Sequence, residues 1–178
     1  MCLEKNCATI VLRMVAAHFF MRKIRSWRDD MSITIESNSA EETFALGQKI
    51  GERVKPGTII SLTGDLGVGK TVFTQGLAKG LGIMEPVNSP TFTIVQVYEG
   101  GRLPFYHFDV YRIGDIEEMD EIGYEDYFYG NGVCLIEWAD LIKELLPEET
   151  GHITIEKDLE KGFDYRKIQI DGIEGWEA

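Results

Sequence analysis

Residues 64–71 have the types and spacing of a phosphate-binding loop. They read Gly-Asp-Leu-Gly-Val-Gly-Lys-Thr, a complete Gly-x-x-x-x-Gly-Lys-Thr pattern. In such a loop the glycines let consecutive backbone N–H groups curl around an anion, while the Lys70 ammonium reaches the β- and γ-phosphates and the Thr71 hydroxyl binds Mg²⁺. The pattern therefore predicts a nucleoside triphosphate with magnesium as the ligand. The predicted nucleotide contacts are Gly64, Asp65, Leu66, Gly67, Val68, Gly69, Lys70 and Thr71.

The segments on either side of this loop have the periodicity that the motif requires. Before it, residues 58–62 are mostly β-branched and apolar and predict a buried strand. After it, apolar residues recur at helical spacing up to Leu81, and Gly82 is a plausible C-cap. Strand, loop and helix in this order favour a nucleotide site over a glycine-rich turn that carries Lys-Thr by chance.

Glu137 is the first candidate for a second group at the metal. It directly follows the apolar run 133–136, which predicts another buried strand. Because the carboxyl ends of parallel strands face the ligand crevice, a carboxylate here can bind Mg²⁺ directly or through a water molecule. The alternative is a surface glutamate at a strand exit, and the uninterrupted apolar run favours the metal-binding interpretation.

Asp109 is the second candidate. It lies in the sequence His-Phe-Asp-Val-Tyr-Arg at 107–112. Its carboxylate could orient a water molecule or hold a metal-bound water. Spacing alone equally allows a structural aspartate that pairs with Arg112. His107 alternates with Asp109 and so shares its strand face, but a single histidine is more often a packing residue than a general base.

Four further residues are weaker candidates. Thr91 follows a proline and precedes a predicted hairpin, so its hydroxyl could contact the γ-phosphate or simply begin a strand. Trp138 could stack on a base or a protein partner, although core packing is the commoner role of a single tryptophan. Arg102 and Arg112 are possible charge-stabilising arginines.

The remaining segments predict an α/β fold. A capping box at Ser39 and Glu42 begins a helix that ends near Val54. Two extended segments joined by a glycine turn, 92–98 and 103–110, predict an antiparallel hairpin. The predicted class is a P-loop nucleotide-binding, three-layer α/β fold with a mostly parallel central sheet and this hairpin. The other predicted elements are a strand at 32–36, helical segments at 115–122, 124–129 and 141–146, and strands at 153–156 and 167–170.

Charge is distributed unevenly along the 178 residues. Residues 1–30 carry six Lys or Arg against three Asp or Glu, whereas residues 31–178 carry 12 against 27. The acidic body repels phosphate backbones, so any role with nucleic acid is expected to run through a protein partner. The three cysteines lack zinc-ligand spacing, which favours a reducing, cytoplasmic location.

The N-terminal stretch is predicted to be an extension outside the fold, at residues 1–30, with residues 31–178 as a single P-loop ATPase domain. The apolar run at 8–21 is interrupted by an arginine and a histidine and is too short to span a membrane. No persuasive signal-peptide cleavage site is present. A basic segment at 22–25 leaves a membrane-surface role open, but the prediction is that no membrane is involved.

Taken together, these motifs resemble those of the TsaE (YjeE) family, small ATPases of bacterial tRNA threonylcarbamoyladenosine biosynthesis. The phosphate-binding loop alone is shared by many ATPases, but its combination with Ser-Pro-Thr, His-x-Asp-x-Tyr-Arg and Ile-Glu-Trp is far more specific. The resemblance extends from Met31 to about residue 170. The matching segments are 64–71, 88–93, 107–112, 121–128 and 135–138.

The resemblance implies a function and partners. Members of the family hydrolyse ATP to ADP with Mg²⁺, and the activity expected of this chain is weak without its partners. The implied partners are TsaB and TsaD, the latter being the transferase that modifies adenosine 37 of tRNA. The chain is therefore expected to act on tRNA only through these partner proteins, in agreement with the acidic charge of residues 31–178.

The resemblance also assigns roles to individual residues. Thr71 and Glu137 would bind the metal. Asp109 would be needed for hydrolysis, together with Glu137 and Lys70. The Ser-Pro-Thr sequence at 89–91 would act as a switch-like segment. The residues expected near the rest of the nucleotide are Trp138 and, in the first helix, Thr43 with its neighbour Glu42.

Three other functions use a similar loop. A small-molecule kinase would need an acceptor pocket and usually an arginine-bearing lid, and no arginine-rich segment of that kind is present. A GTPase would normally carry an Asn-Lys-x-Asp guanine-reading motif, which the sequence lacks. A non-catalytic, nucleotide-dependent scaffold remains open.

Overall fold

Seven strands, four α-helices and one 3₁₀ helix make up the described part of the chain, residues 32–176 of a computed structural model. The predicted extension at 1–30 lies outside these residues. No helix within 32–176 is long and apolar enough to cross a membrane. The strands are β1 (Ile33–Ser37), β2 (Ile59–Thr63), β3 (Val95–Tyr98), β4 (Phe105–Asp109), β5 (Val133–Glu137), β6 (Gly151–Lys157) and β7 (Arg166–Asp171). The helices are α1 (Ala40–Arg53), α2 (Lys70–Gly80), α3 (Glu118–Ile122), α4 (Tyr124–Phe128) and the 3₁₀ helix Ala139–Leu145.

All these strands belong to one sheet, in the order β1-β7-β6-β2-β5-β4-β3. The four central strands β6, β2, β5 and β4 are parallel, whereas β3, β7 and β1 pair antiparallel at the two sides. The predicted α/β class, with a parallel centre and the β3–β4 hairpin, is confirmed. Because the central strands are parallel, their carboxyl ends lie at one edge of the sheet. Thr63, Asp109 and Glu137 are the last residues of β2, β4 and β5 at this edge.

Helices cover both faces of the sheet and give the three layers. Since alternate strand residues point to opposite faces, each central strand contributes to two cores. Leu62 and Leu135 belong to the core under α1 and α2, whereas Cys134 belongs to the core under α3, α4 and the 3₁₀ helix. Strands that are buried on both faces appear in the sequence as continuous apolar runs, which is why 58–62 and 133–136 could be predicted as strands.

Helices α1 and α2 approach each other closely because glycines line their contact. A Cβ atom at Gly47 or Gly51 would overlap a backbone carbonyl of α2, and one at Gly76 or Gly80 would overlap a backbone carbonyl of α1. On each helix the two glycines are four residues apart and therefore share one face. This packing holds α2, and the phosphate-binding loop at its N-terminus, against the body of the fold.

Several predicted elements differ from the structure in their bounds, and two of these differences lie beside the ends of β4 and β5. Strand β3 begins at Val95 because a turn closed by the Pro90 carbonyl takes residues 91–93 out of the hairpin. The predicted helix at 141–146 is a 3₁₀ helix that begins at Ala139. Both differences arise at the sheet edge where Asp109 and Glu137 end their strands.

Candidate functional site

The phosphate-binding loop connects β2 to α2, and its shape depends on glycine. Gly64, Gly67 and Gly69 have φ angles of 145°, 72° and 107°, a region that residues with a Cβ atom rarely adopt. At Gly64 a Cβ atom would also overlap the carbonyl oxygen of Ile155 in β6. Backbone of this kind can direct consecutive N–H groups into one concavity, which is how such loops bind phosphate.

The Lys70 side chain folds back against the first residues of the phosphate-binding loop. Its side chain is largely buried, and Nζ donates hydrogen bonds to the carbonyl oxygens of Gly64 at 2.8 Å and Asp65 at 3.2 Å. Within residues 32–176, Lys70 forms no ion pair with a carboxylate. Its charge is therefore available to an anion at the loop.

A cavity of about 720 Å³ opens beside the loop. Gly64, Asp65 and Lys70 line it from the loop, Trp138 lines it from the end of β5, and the segment 154–158 lines it from the end of β6. A volume of this size is typical of a small-molecule site. The cavity thus lies at the sheet edge that the fold predicts for a ligand.

Glu137 and His107 form a buried pair at this edge. In the sheet, Glu137 lies opposite Asp109 of β4 and Leu62 of β2. The His107 Nε2 atom is 3.0 Å from Glu137 Oε1, and both side chains are almost completely buried. The His107 ring stacks on Phe105, with 5.9 Å between centroids. The carboxylate of Glu137 is therefore held in place by a neighbour on the next strand.

Asp109 is bonded to the segment that the sequence suggested as a switch. Its Oδ2 accepts hydrogen bonds from the hydroxyls of Ser89 at 2.7 Å and Thr91 at 2.6 Å, and its Oδ1 accepts one from the backbone N–H of Tyr111 at 3.2 Å. The predicted alternative, a pair with Arg112, does not occur. The Arg112 guanidinium instead lies 4.7 Å from the centroid of an exposed phenylalanine ring at position 92.

The end of this segment carries backbone strain. Ile94 has φ of 64°, a value that is unusual for a β-branched residue and costs about 1–3 kcal/mol. Its N–H donates to the Pro90 carbonyl at 2.7 Å, and its carbonyl accepts from the Asp109 N–H at 2.8 Å. The conformation of 89–94 is thus tied to Asp109 through both side-chain and backbone hydrogen bonds.

Trp138 lies over the ammonium of Lys70. The Lys70 Nζ atom is 5.0 Å from the centroid of the Trp138 ring, within the range of a cation–π interaction. Trp138 also packs on Tyr111, with 5.0 Å between centroids, and has φ of 62°. The sheet edge therefore brings Trp138 to the loop, where it lines the cavity.

The residues predicted to bind the metal offer oxygen atoms. Thr71 lies in the first turn of α2 with its side chain exposed, and Glu137 ends the neighbouring strand β5. A hydroxyl and a carboxylate suit Mg²⁺, which usually takes few protein ligands and keeps several waters. No group of three or more His, Cys, Asp or Glu side chains in the described chain could hold a metal by itself. The donor set thus fits magnesium that is completed by phosphate and water.

Two groups of candidate residues lie elsewhere. Thr43 is buried, and its hydroxyl bonds Ser37 Oγ at 2.8 Å and the Ser39 carbonyl at 3.3 Å, in the network that begins α1. Neither Thr43 nor its neighbour Glu42 lines the cavity. Arg102 donates to the carbonyls at the carboxyl end of α1 and so has a structural role there.

Two residues of the site were not predicted from the sequence. The sequence favours a packing role for His107, yet His107 is the hydrogen-bond partner of Glu137. Ser89 has no individual signal in the sequence, yet its hydroxyl donates to Asp109 Oδ2. The alternation of His107 with Asp109 was the available signal, because it placed both side chains on the strand face that carries Glu137.

The family model described as "Threonylcarbamoyl adenosine biosynthesis protein TsaE" matches residues 37–168. The chain belongs to the TsaE family. The predicted resemblance is thereby confirmed, and the match includes the phosphate-binding loop, Asp109 and Glu137.

Individual TsaE proteins agree with this assignment. The chain is 50% identical over 133 residues to the tRNA threonylcarbamoyladenosine biosynthesis protein TsaE of Bacillus subtilis strain 168, covering 75% of this chain and 81% of the relative. It is 45% identical over 119 residues to the TsaE of Treponema pallidum strain Nichols, covering 67% and 87%. The crystal structure of Bacillus subtilis YdiB matches with a TM-score of 0.69 and 42% identity, over 80% of this chain and 86% of that one. TsaE proteins take part in tRNA threonylcarbamoyladenosine biosynthesis, and the match places this chain among them.

Proposed function

We propose that this chain is a Mg²⁺-dependent ATPase that supports the threonylcarbamoylation of tRNA adenosine 37 as part of a protein complex. The observation that carries the proposal is the arrangement at one sheet edge. Asp109 and Glu137 lie opposite each other on β4 and β5, and Glu137 lies opposite Leu62, just before the phosphate-binding loop. Family membership supports the pathway, and the geometry supports the hydrolytic chemistry.

The loop binds the phosphates in this proposal. Its backbone N–H groups and the N-terminus of α2 attract the anion, and Lys70 neutralises the β- and γ-phosphates. Lys70 then exchanges its present carbonyl partners, Gly64 and Asp65, for phosphate oxygens. Trp138 covers the same ammonium from the cavity side and excludes water from it.

Thr71 and Glu137 are the residues that would hold Mg²⁺. When bound, the ion would neutralise charge on the phosphates as the terminal phosphoryl group is transferred to water. Glu137 presents its carboxylate in a fixed orientation because His107 bonds one of its oxygens. Partners of this kind orient metal-binding carboxylates and raise metal affinity.

Asp109 has a role that depends on the Ser-Pro-Thr segment. While Ser89 and Thr91 donate to its Oδ2, that oxygen is occupied by hydroxyl groups. Movement of segment 89–94, relieving the strained backbone of Ile94, would free the oxygen to orient the attacking water. A partner protein that binds this segment could thus regulate turnover, in agreement with the weak activity that is expected of the isolated chain.

Proteins of the TsaD and TsaB type are the proposed partners. Residues 31–178 carry 27 acidic against 12 basic residues, so the body is repelled by bare tRNA. Docking on a protein that itself binds tRNA avoids this repulsion. Nucleotide hydrolysis would then be coupled to the modifying complex and not to direct contact with the RNA.

The experiment that tests the proposal is phosphate release from Mg-ATP in the absence of any acceptor, with and without the two partner proteins. Lys70→Ala should abolish turnover, whereas Lys79→Ala, an exposed lysine at the other end of α2, should leave it unchanged. Normal hydrolysis in the Lys70 variant would contradict the proposal. Phosphate transfer only when an acceptor is supplied would identify a kinase. Tight ATP binding without turnover, even with partners, would identify a scaffold.

A further inference from the structure

Arg166 is a β7 residue whose side chain reaches the phosphate-binding loop. It pairs with Lys157 at the carboxyl end of β6, beside the loop that follows β2. Its Nε atom donates to the Val68 carbonyl oxygen at 2.6 Å, and its Nη1 atom donates to the carbonyls of Phe163 at 2.8 Å and Tyr165 at 2.7 Å. Three backbone carbonyls thus fix the guanidinium in one position.

The guanidinium of Arg166 forms no ion pair with the described residues. Across residues 32–176, no carboxylate lies within 4.0 Å of its guanidinium nitrogens. Other arginines of residues 32–176, such as Arg102 and Arg112, also lack such a carboxylate, so it is the position of Arg166 beside the loop that distinguishes it. All three of its bonded acceptors are neutral, so Arg166 contributes a net positive charge next to the loop.

The bond to Val68 determines the direction of the next N–H group. In a planar trans peptide the C=O of one residue and the N–H of the following residue point in opposite directions. Because the Val68 C=O points at Arg166, the Gly69 N–H points to the opposite side of the peptide. Gly69 has φ of 107° and no side chain. Contacts from other residues are therefore needed to hold that peptide in place.

The segment that presents Arg166 is itself anchored. The Tyr165 hydroxyl donates to Glu36 Oε1 at 2.7 Å, and Lys161 Nζ donates to the same carboxylate oxygen at 2.7 Å. These bonds attach the β6–β7 connection to β1. The guanidinium is therefore presented from a fixed scaffold.

We propose that Arg166 is a positioning residue for phosphate binding: it orients the Gly69 N–H towards the phosphates and adds its charge to the loop. The inference rests on the proposed nucleotide-binding function and extends it to a residue 98 positions beyond Val68. The ligand group that it serves is the phosphate chain, not the base or the sugar. Its contribution is therefore the same for a nucleoside diphosphate and for pyrophosphate.

The test compares dissociation constants by calorimetry for Mg-ADP and for magnesium pyrophosphate. Arg166→Gln should raise both dissociation constants by a similar factor of about ten. This is the size expected for the loss of one hydrogen bond with a charged group. Arg166→Lys, which keeps the charge but not the planar fork, should lie between the wild type and Arg166→Gln. Unchanged constants in the Gln variant, or a loss confined to Mg-ADP, would overturn the inference.

Two control variants separate this inference from the proposed function. Arg102→Gln removes an arginine that also bonds only backbone carbonyls, at the end of α1, and should lower the Tm without changing either constant. Lys70→Ala should abolish binding of both ligands. If Lys70→Ala binds both ligands normally, the proposed nucleotide site is wrong. If only the Arg166 variants bind them normally, the proposed positioning role alone is wrong.

An NMR measurement on the wild-type protein tests the same inference without requiring that any variant folds. In NMR spectra, the Gly69 amide proton should move strongly downfield when magnesium pyrophosphate binds, and the Arg166 Nε proton should exchange slowly in both states. A Gly69 amide that does not respond to pyrophosphate, or an Arg166 Nε proton that exchanges as fast as that of an exposed arginine, would overturn the inference.

Discussion

His107 Nε2 lies 3.0 Å from Glu137 Oε1, and both side chains are buried. The other ring nitrogen of His107, Nδ1, has no hydrogen-bond partner in the described structure. A proton on Nε2 therefore satisfies the carboxylate and leaves on Nδ1 only a lone pair, which avoids an unpaired buried N–H. The pair fixes the orientation of the carboxylate that is proposed to hold Mg²⁺.

The first prediction concerns this pair. His107→Ala should lower Mg²⁺-dependent ATP turnover by about 10- to 100-fold and raise the Mg²⁺ concentration needed for half-maximal activity, because Glu137 loses the group that orients it. The measurement is a Mg²⁺ titration of phosphate release. His152→Ala, at an exposed histidine of β6, is the matched control. A His107 variant that loses only thermal stability and keeps the Mg²⁺ dependence would mean that the pair is structural.

The second prediction concerns Asp109. Asp109→Asn should reduce turnover by about 100-fold or more, since the amide cannot act as a base or hold water as a carboxylate does, while the Kd for Mg-ADP should change little. Single-turnover hydrolysis and calorimetry measure the two effects separately. Asp120→Asn, at an exposed position of α3, serves as the control. A large loss of ADP binding with unchanged turnover of bound ATP would argue against this role.

Much of this site could be predicted because its parts are local in sequence. The phosphate-binding loop is one continuous motif, and the apolar run 133–136 places Glu137 at a strand end. Parallel strands then bring such ends to one edge of the sheet, where Glu137 lies opposite Asp109. These steps need only local patterns and one rule of topology.

The rest could not be predicted because it depends on register and on distant contacts. The bond between His107 and Glu137 follows from the pairing of His107 with Leu135, and no local pattern specifies that register. The contact of Arg166 with Val68 spans 98 residues. The strained backbone of Ile94 arises from a turn that competes with an otherwise good strand sequence. Only the resemblance predicts Thr43 near the base, and Thr43 does not line the cavity beside the loop.

The third prediction concerns the contact between α1 and α2. Gly76→Ala should lower the free energy of unfolding by about 1–3 kcal/mol, because the added methyl group overlaps a carbonyl of α1 and forces the helices apart. Urea denaturation measures the change. Gly100→Ala is the control, since nothing lies within 4 Å of a Cβ atom at that position. Equal stability of the two variants would show that the helices can separate at no cost.

The fourth prediction concerns Cys134. Burial raises the pKa of this thiol to about 12, so the protonated form is favoured in the folded protein. Cys134 should resist alkylation at pH 8 in the folded state and react readily in denaturant, as measured by mass spectrometry of its peptide. Because the folded pKa is raised, its contribution to stability is complete below the unfolded pKa near 8.5 and declines as pH rises above it. Rapid labelling of the folded protein would contradict this burial.

We propose that ATP hydrolysis at the loop and at Asp109 and Glu137 drives tRNA modification. The most direct measurement is a reconstitution with TsaD- and TsaB-type proteins, tRNA and an activated threonylcarbamoyl donor, in which ATP turnover and modified adenosine are followed in the same reaction. We expect Asp109→Asn and Glu137→Gln to lower both ATP turnover and modified adenosine together over repeated cycles. Sustained modification at the wild-type rate by a variant that no longer hydrolyses ATP would contradict it.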